Sequence, residues 1–91
     1  MKQNIEIINL LTYVKPSKYR TNILIALEND KFKIPSEIAI EVGTITSNVS
    51  SHLTGLKKRG LIKCINEEAK KGRLYYITDK GKNVLEYIKT N

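Results

Sequence analysis

The chain has a single cysteine, Cys64, which excludes a disulfide within it, and neither a Cys-x-x-Cys pair nor a histidine-rich stretch offers the spacing of a metal site. Its only histidine is His52, and no acid pair or phosphate-cradling loop accompanies it, so the sequence supplies no set of groups for acid–base or nucleophilic catalysis. No catalytic residue, metal ligand or cofactor is therefore expected. Long hydrophobic runs are missing as well. Nothing approaches the ~18 apolar residues of a membrane-spanning helix, and Glu6, Asn9 and Thr12 break the N-terminal run that a secretion signal would need. A soluble, cytoplasmic chain with no membrane partner is the expectation. Internal repeats, linkers and low-complexity segments are absent too, and 91 residues support one small domain whose thin core gains from dimerisation.

Acidic side chains are also scarce. Nine stand against 16 lysines and arginines, for a net charge of +7 and a pI near 9.6. The imbalance is local: residues 1–50 hold six basic and five acidic side chains, whereas residues 51–91 hold ten and four. The positive field thus belongs to the second half, the footprint of a face that binds a polyanion. A merely solvated lysine-rich surface would give the same sum, since net charge speaks to non-specific binding rather than to fold.

Apolar periodicity divides the chain into helices. From Asn4 to Val14, Ile5, Ile7, Ile8, Leu10, Leu11, Tyr13 and Val14 lie almost all round a helix, so part of this surface is expected to meet a partner. Lys15-Pro16 breaks it, because proline removes a donor and biases the preceding residue away from helix. Ser17 suits the N-cap of the next helix, in which Tyr19, Ile23, Leu24 and Leu27 form the apolar stripe and which should end near Glu28 to Asp30. Lys31 to Ile34 reads as an extended link, with a minor strand near Lys33. Pro35 then opens a helix through Val42, with Ile38, Ala39 and Val42 inward, and Gly43 supplies the left-handed turn that reverses the chain.

The stretch TSNVSSHLTGLKKRG follows. A helix from Thr46 to Arg59 turns Val49, Leu53 and Leu56 inward, with Ile45 stapling its start, and leaves Ser47, Asn48, Ser50, Ser51, Thr54 and Lys58 outward. Three serines and two threonines in one helix are unfavourable to its propensity, and Gly55 costs ~1 kcal/mol against alanine, so a reason beyond helix formation is needed. Small hydrogen-bonding side chains can lie close against base edges, Asn by a paired contact to adenine and Ser to several edges. Gly60 ends the helix. Strands from Leu61 to Asn66 and from Arg73 to Ile77 follow, with Ile62 and Cys64 on the same face as Tyr75 and Ile77, Tyr76 outward, and a basic turn from Glu67 to Gly72 between them. Thr78 caps a last helix, Asp79 to Lys89, buried through Val84, Leu85 and Ile88. A hydroxyl-rich helix beside a basic hairpin reads as a winged helix-turn-helix: an α+β fold, mostly α with a small antiparallel β-wing.

From Tyr13 onward the chain resembles archaeal winged-helix transcriptional regulators of the MarR and ArsR types. The likeness is carried by SKYR (Ser17 to Arg20), PSEIA (Pro35 to Ala39), NVSSHL (Asn48 to Leu53), KRGLI (Lys58 to Ile62), EEAKKGRLYYIT (Glu67 to Thr78) and DKGKNVLEYI (Asp79 to Ile88), in that order. By this resemblance NVSSHL is the DNA-reading helix, and Lys70, Lys71 and Arg73 lie on the wing. Two positions depart from the pattern: Ile34 stands where such proteins tend to have a threonine cap, and Ile40 where a polar residue is usual. The paired cysteine ligands of metal-sensing ArsR relatives are missing, and the resemblance supplies no effector.

The expected DNA contacts are therefore Thr46, Ser47, Asn48, Ser50, Ser51, Thr54 and Lys58 on the helix and Lys70, Lys71 and Arg73 on the wing, the last three reaching phosphates or a minor groove. Each has a plainer reading. The hydroxyls are also good surface residues, the wing lysines suit any hairpin tip and are offset by Glu67 and Glu68, and the macrodipole favours Lys57, Lys58 and Arg59 at a helix C-terminus. His52 reads as half-buried packing or a phosphate donor, Cys64 as a small buried apolar residue, and Gly55 as a place of close approach or a local weakness. These expectations converge on sequence-specific binding of double-stranded DNA by a homodimeric transcription regulator. In it, residues 1–15 pair the copies and residues 17–89 form the winged helix, the whole chain being one DNA-binding domain. Two alternatives share the same features: a nucleoid or architectural protein that holds DNA without sequence preference, and a winged-helix module for protein contacts.

Overall fold

The computed structural model describes residues 2–29 and 31–90, in the order α1 (Lys2–Val14), α2 (Lys18–Ala26), α3 (Pro35–Val42), α4 (Thr46–Lys58), β1 (Ile62–Cys64), β2 (Tyr75–Ile77) and α5 (Asp79–Thr90). Local chemistry sets most of these bounds. Ser17 Oγ accepts the Arg20 amide at 3.2 Å and starts α2. That helix stops at Ala26, ahead of the expected Glu28, because its last turn tightens: the Leu27 and Glu28 amides bond to Leu24 and Ile25, three residues back. Asp30 lies outside the described residues.

Helix α3 begins at Pro35, which has no N–H to leave unsatisfied, and Glu37 Oε1 accepts the Ile34 amide at 3.0 Å. Ile34 has no side-chain acceptor, so only this half of a capping box forms. Gly43, at φ 82°, closes the helix with its amide on Ala39 O at 2.9 Å, a conformation that a Cβ would strain. The expected staple at the start of α4 does not form. Ile45 is the N-cap itself rather than the residue before it, and its side chain is 68% exposed.

The core gathers side chains from every element: Leu10 and Val14 of α1, Ile23 and Leu24 of α2, Ile38 and Ala39 of α3, Val49, Leu53 and Leu56 of α4, Ile62, Tyr75 and Ile77 of the sheet, and Val84 and Leu85 of α5. Strands β1 and β2 pair antiparallel in the register Ile62↔Ile77, Lys63↔Tyr76, Cys64↔Tyr75, which puts Ile62, Cys64, Tyr75 and Ile77 on one face as the alternation requires. The strands are shorter than expected. Tyr75 also exchanges both backbone bonds with Lys33, at 2.9 and 3.1 Å, so the minor strand is a single bridge. Cys64 is half-buried against the core rather than enclosed by it.

The wing is tied at its root to the end of α4. Thr78 Oγ donates to Gly60 O at 2.6 Å and accepts the Gly81 amide at 3.1 Å, so one hydroxyl caps α5 and binds it to the turn after α4. Backbones meet closely there: a Cβ on Gly81 would stand 2.2 Å from Leu61 O. Helix α1 packs on α2 and α5 through Leu10 and Val14 but leaves Ile5 and Ile8 61% and 57% exposed, the surplus its sequence implied.

Candidate nucleic-acid interface

Helix α4 turns its three core residues to one side, and at about 100° per residue the opposite side is a stripe of Ser47, Ser51, Thr54 and Lys58. All four are exposed. Among the described residues Ser47, Ser50 and Ser51 make no side-chain hydrogen bond, so each hydroxyl keeps a donor and an acceptor for an incoming group. Thr54 Oγ donates to Ser50 O at 3.1 Å and keeps only acceptor capacity. Ser50 and Asn48 lie on opposite flanks of the stripe, and Thr46 stands in the first turn. Asn48 is half-buried, and its Nδ2 donates to Thr44 Oγ at 3.0 Å. That bond uses one amide hydrogen and leaves the other, with Oδ1, for a paired contact.

The wing tip is built around Asn66. Its Oδ1 accepts the Leu74 amide at 2.8 Å and the Cys64 thiol at 3.5 Å, its Nδ2 donates to Gly72 O at 3.2 Å, and its backbone oxygen takes the Ala69 amide at 3.0 Å. Gly72, at φ 67°, is the left-handed residue that turns the chain back. Lys70 and Lys71 project from this tip, exposed and without partners among the described residues. Arg73 is different: it is half-buried, and its Nε donates to Ala69 O at 2.7 Å, which folds the guanidinium against the turn.

Helix α4 and the wing share one ion pair. Lys57 Nζ bonds Glu67 Oε1 at 2.5 Å, and this bond raises the Lys57 pKa above its usual value and lowers that of Glu67. Glu67 therefore offsets Lys57, not the lysines at the tip. Lys80 and Lys89 are likewise paired, with Glu6 and Glu28, whereas Lys58, Arg59, Lys63, Lys70, Lys71 and Arg73 form no ion pair among the described residues, although the charge of Arg73 also helps to lower the Glu67 pKa. The uncompensated charge of the second half thus surrounds the end of α4 and the hairpin.

The flank of α4 away from the wing lies against α2 and the end of α1. Tyr19 stacks on His52 with ring centres 6.0 Å apart, and burial, then Arg20, holds the His52 pKa below its usual value. Gly55 is a place of close approach, and what approaches is Tyr13: a Cβ at 55 would stand 2.0 Å from the tyrosine hydroxyl. Sequence reasoning missed the roles of Asn66, Gly81 and the Tyr13 contact. An asparagine opposite a glycine across a short turn was a usable signal for Asn66. Nothing local links Tyr13 to Gly55. Tyr76, expected outward on the wing, is half-buried and tilted against Phe32 at 5.2 Å.

No family model matches the sequence, and no curated protein matches it. Solved structures do. A MarR-family transcriptional regulator from Silicibacter pomeroyi superposes with a TM-score of 0.73 at 19% identity, over 98% of this chain and 60% of that one. The transcriptional repressor CouR, bound to a 23-mer DNA duplex, gives 0.72 at 24% identity, over 98% of this chain and 66% of its own. A homodimeric winged helix-turn-helix DNA-binding domain from Mycobacterium bovis, described as a possible ArsR-family regulator, gives 0.69 at 19% identity, over 98% and 78%. These neighbours are transcriptional regulators, not enzymes. The chain spans less than two thirds of the first two, and no described helix is long and apolar enough to cross a membrane. At these identities what the chain shares with them is the fold: five helices and a two-stranded antiparallel sheet arranged as a winged helix-turn-helix.

Proposed function

We propose that the chain binds double-stranded DNA sequence-specifically as a homodimeric transcription regulator, with α4 in the major groove and the wing on the backbone or in the minor groove. The observation that carries this reading is the pairing of two surfaces. A stripe of hydroxyls on α4, those of Ser47 and Ser51 uncommitted, lies beside cations at its end and on the wing that form no ion pair among the described residues. Base edges need the first and phosphates the second. Ser47, Ser51 and Asn48 are the readers in this scheme, Asn48 being oriented by Thr44 for a paired contact to adenine. Thr46, Ser50 and Thr54 border the groove, and Lys58, Lys70, Lys71 and Arg73 hold the backbone. The exposed Ile5 and Ile8 of α1, with Tyr87 of α5 at 41% exposure, supply the surface for pairing two copies. A dimer would set two α4 helices about 34 Å apart on a pseudo-palindromic site. The printed descriptions of the DNA-bound repressor and the homodimeric domain agree with this reading of the shared fold.

Selection from a pool of random duplexes tests it. Enrichment of an inverted repeat is the expected result. Recovery without sequence preference would instead indicate an architectural protein, and no recovery would indicate a protein-interaction module. Sedimentation should show a dimer at micromolar concentration, and a monomer would remove the pairing role of α1.

A further inference from the structure

Three side chains distant in sequence meet over Gly55, on the flank of α4 next to its outward stripe. The guanidinium carbons of Arg20 and Arg59 stand 3.9 and 3.5 Å from the centre of the Tyr13 ring. The two cations can be no further apart than those distances laid end to end, and neither has a carboxylate partner among the described residues. The face of a tyrosine attracts each of them but carries no net charge to cancel theirs.

Their situations differ. Arg20 is the inner one: an Nη donates to Tyr13 O at 3.0 Å, and its Nε is buried without an acceptor. Arg59 is the outer one, exposed, with only a long 3.4 Å bond to Gly55 O, so most of its five donors are unused. The Tyr13 hydroxyl makes no hydrogen bond among the described residues and rests where Gly55 lacks a Cβ.

The helix macrodipole accounts for each cation taken singly: Arg59 ends α4, and the Arg20 guanidinium donates to Tyr13 O in the last turn of α1. It does not account for their meeting on one ring, and no acidic residue stands in the first turn of α2 beside Arg20. Two like charges drawn together without a counter-ion, with a free hydroxyl donor beside them, make a local field and a donor set suited to an oxyanion. The planar fork of Arg59 fits two phosphate oxygens.

We infer that the Arg59 guanidinium and the Tyr13 hydroxyl bind a backbone phosphate bordering the groove that α4 enters, with Arg20 raising the positive potential behind them. This assignment rests on the DNA-binding reading above. It adds a phosphate contact on the flank of α4 opposite the wing, so that the helix is held to the backbone from both sides.

The test uses the full chain, a duplex enriched by selection and a random duplex of equal length, with affinity measured across a salt series. Arg59→Gln should weaken both duplexes alike, by roughly tenfold, and make the salt slope shallower by about one. Arg59→Lys should keep the slope, because the charge remains. Tyr13→Phe, which keeps the ring, should lower affinity uniformly at unchanged slope. The chain has three arginines, so their Nε–H resonances can be assigned and followed in the unaltered protein, and that of Arg59 should shift as duplex is added. If the unaltered chain binds neither duplex, the DNA reading itself falls. If it binds while Arg59→Gln keeps both affinity and slope, or while the Arg59 resonance stays fixed, only the phosphate assignment is overturned. The resonance experiment decides the matter even if Arg59→Gln does not fold.

Discussion

Helix α4 is anchored by Val49, Leu53 and Leu56, each at most 1% exposed, and it packs on α2, α3 and β1, so its outward hydroxyls project from a backbone with little freedom. The wing tip from Glu67 to Gly72 contributes no buried apolar side chain and depends on a three-pair ladder and the hydrogen bonds of one asparagine. Placement accuracy is concentrated where base identity would be read, because hydrogen bonds to base edges weaken steeply with misalignment. In the proposed DNA-binding role the wing would need only to bring charge near phosphate, and a Coulomb attraction tolerates an ångström of play.

The largest expected effect comes from attacking the anchored region. Leu53→Ala should cost about 2–5 kcal/mol of folding stability, enough to threaten so small a domain, whereas Lys71→Ala should stay within about 0.5 kcal/mol. Urea unfolding of the two variants measures the contrast, and equal losses would erase it. The roles can then be separated on DNA. Asn48→Ala and Ser51→Ala should relax base preference at defined positions by about 1–3 kcal/mol for a paired contact. Lys70→Ala and Lys71→Ala should weaken all sequences alike and reduce the salt slope by about one each. Sequence preference that changed with the wing and uniform affinity that changed with the helix would reverse the assignment.

A smaller effect isolates the wing's own support. Asn66→Ala should cost about 1–2 kcal/mol and accelerate hydrogen exchange across 67–74 while leaving the amides of α4 protected. Loss of protection in α4 would mean that the two regions unfold together. The smallest effect concerns the exposed Lys57–Glu67 pair that joins them. Glu67 has its pKa lowered from 4.5, so its contribution is present above that value and fades as pH falls through the lower folded one. Lys57 has its pKa raised from 10.5, so its share is present below that value and is lost as pH rises through the higher folded one. The stability difference between the unaltered chain and Glu67→Gln should accordingly be flat between those limits and shrink beyond either. Thermal melts over pH would show this, and a difference that peaked outside the window would contradict it.

Periodicity made the helices readable: the i, i+4, i+7 spacing of Val49, Leu53 and Leu56 identified the buried side of α4, and with it the outward stripe. Charge asymmetry pointed to the same end of the molecule. Contacts between distant residues were not readable. Asn48 looks like a simple outward residue until Thr44 is seen to hold it, and Arg73 looks like a freely projecting wing cation until Ala69 O is found to take its Nε. Gly55 announced itself by its cost to helix propensity, but its cause sits on α1, and no local pattern encodes that. Ile45 failed as a staple through a shift of one position in the cap, the scale at which helix boundaries are least predictable.

The bare backbone at Gly55 also fixes how α4 can be oriented. Of its thirteen residues only this one lacks the Cβ that would collide with the Tyr13 hydroxyl. A roll of one residue in either direction would drive Thr54 or Leu56 into the tyrosine, so the helix is keyed in its seat like a shaft with a single slot. Adjustment to a site of different geometry would then come more readily from displacing the whole fold than from turning the helix within it, since a turn has to displace the Tyr13 side chain and the buried Val49, Leu53 and Leu56 as well.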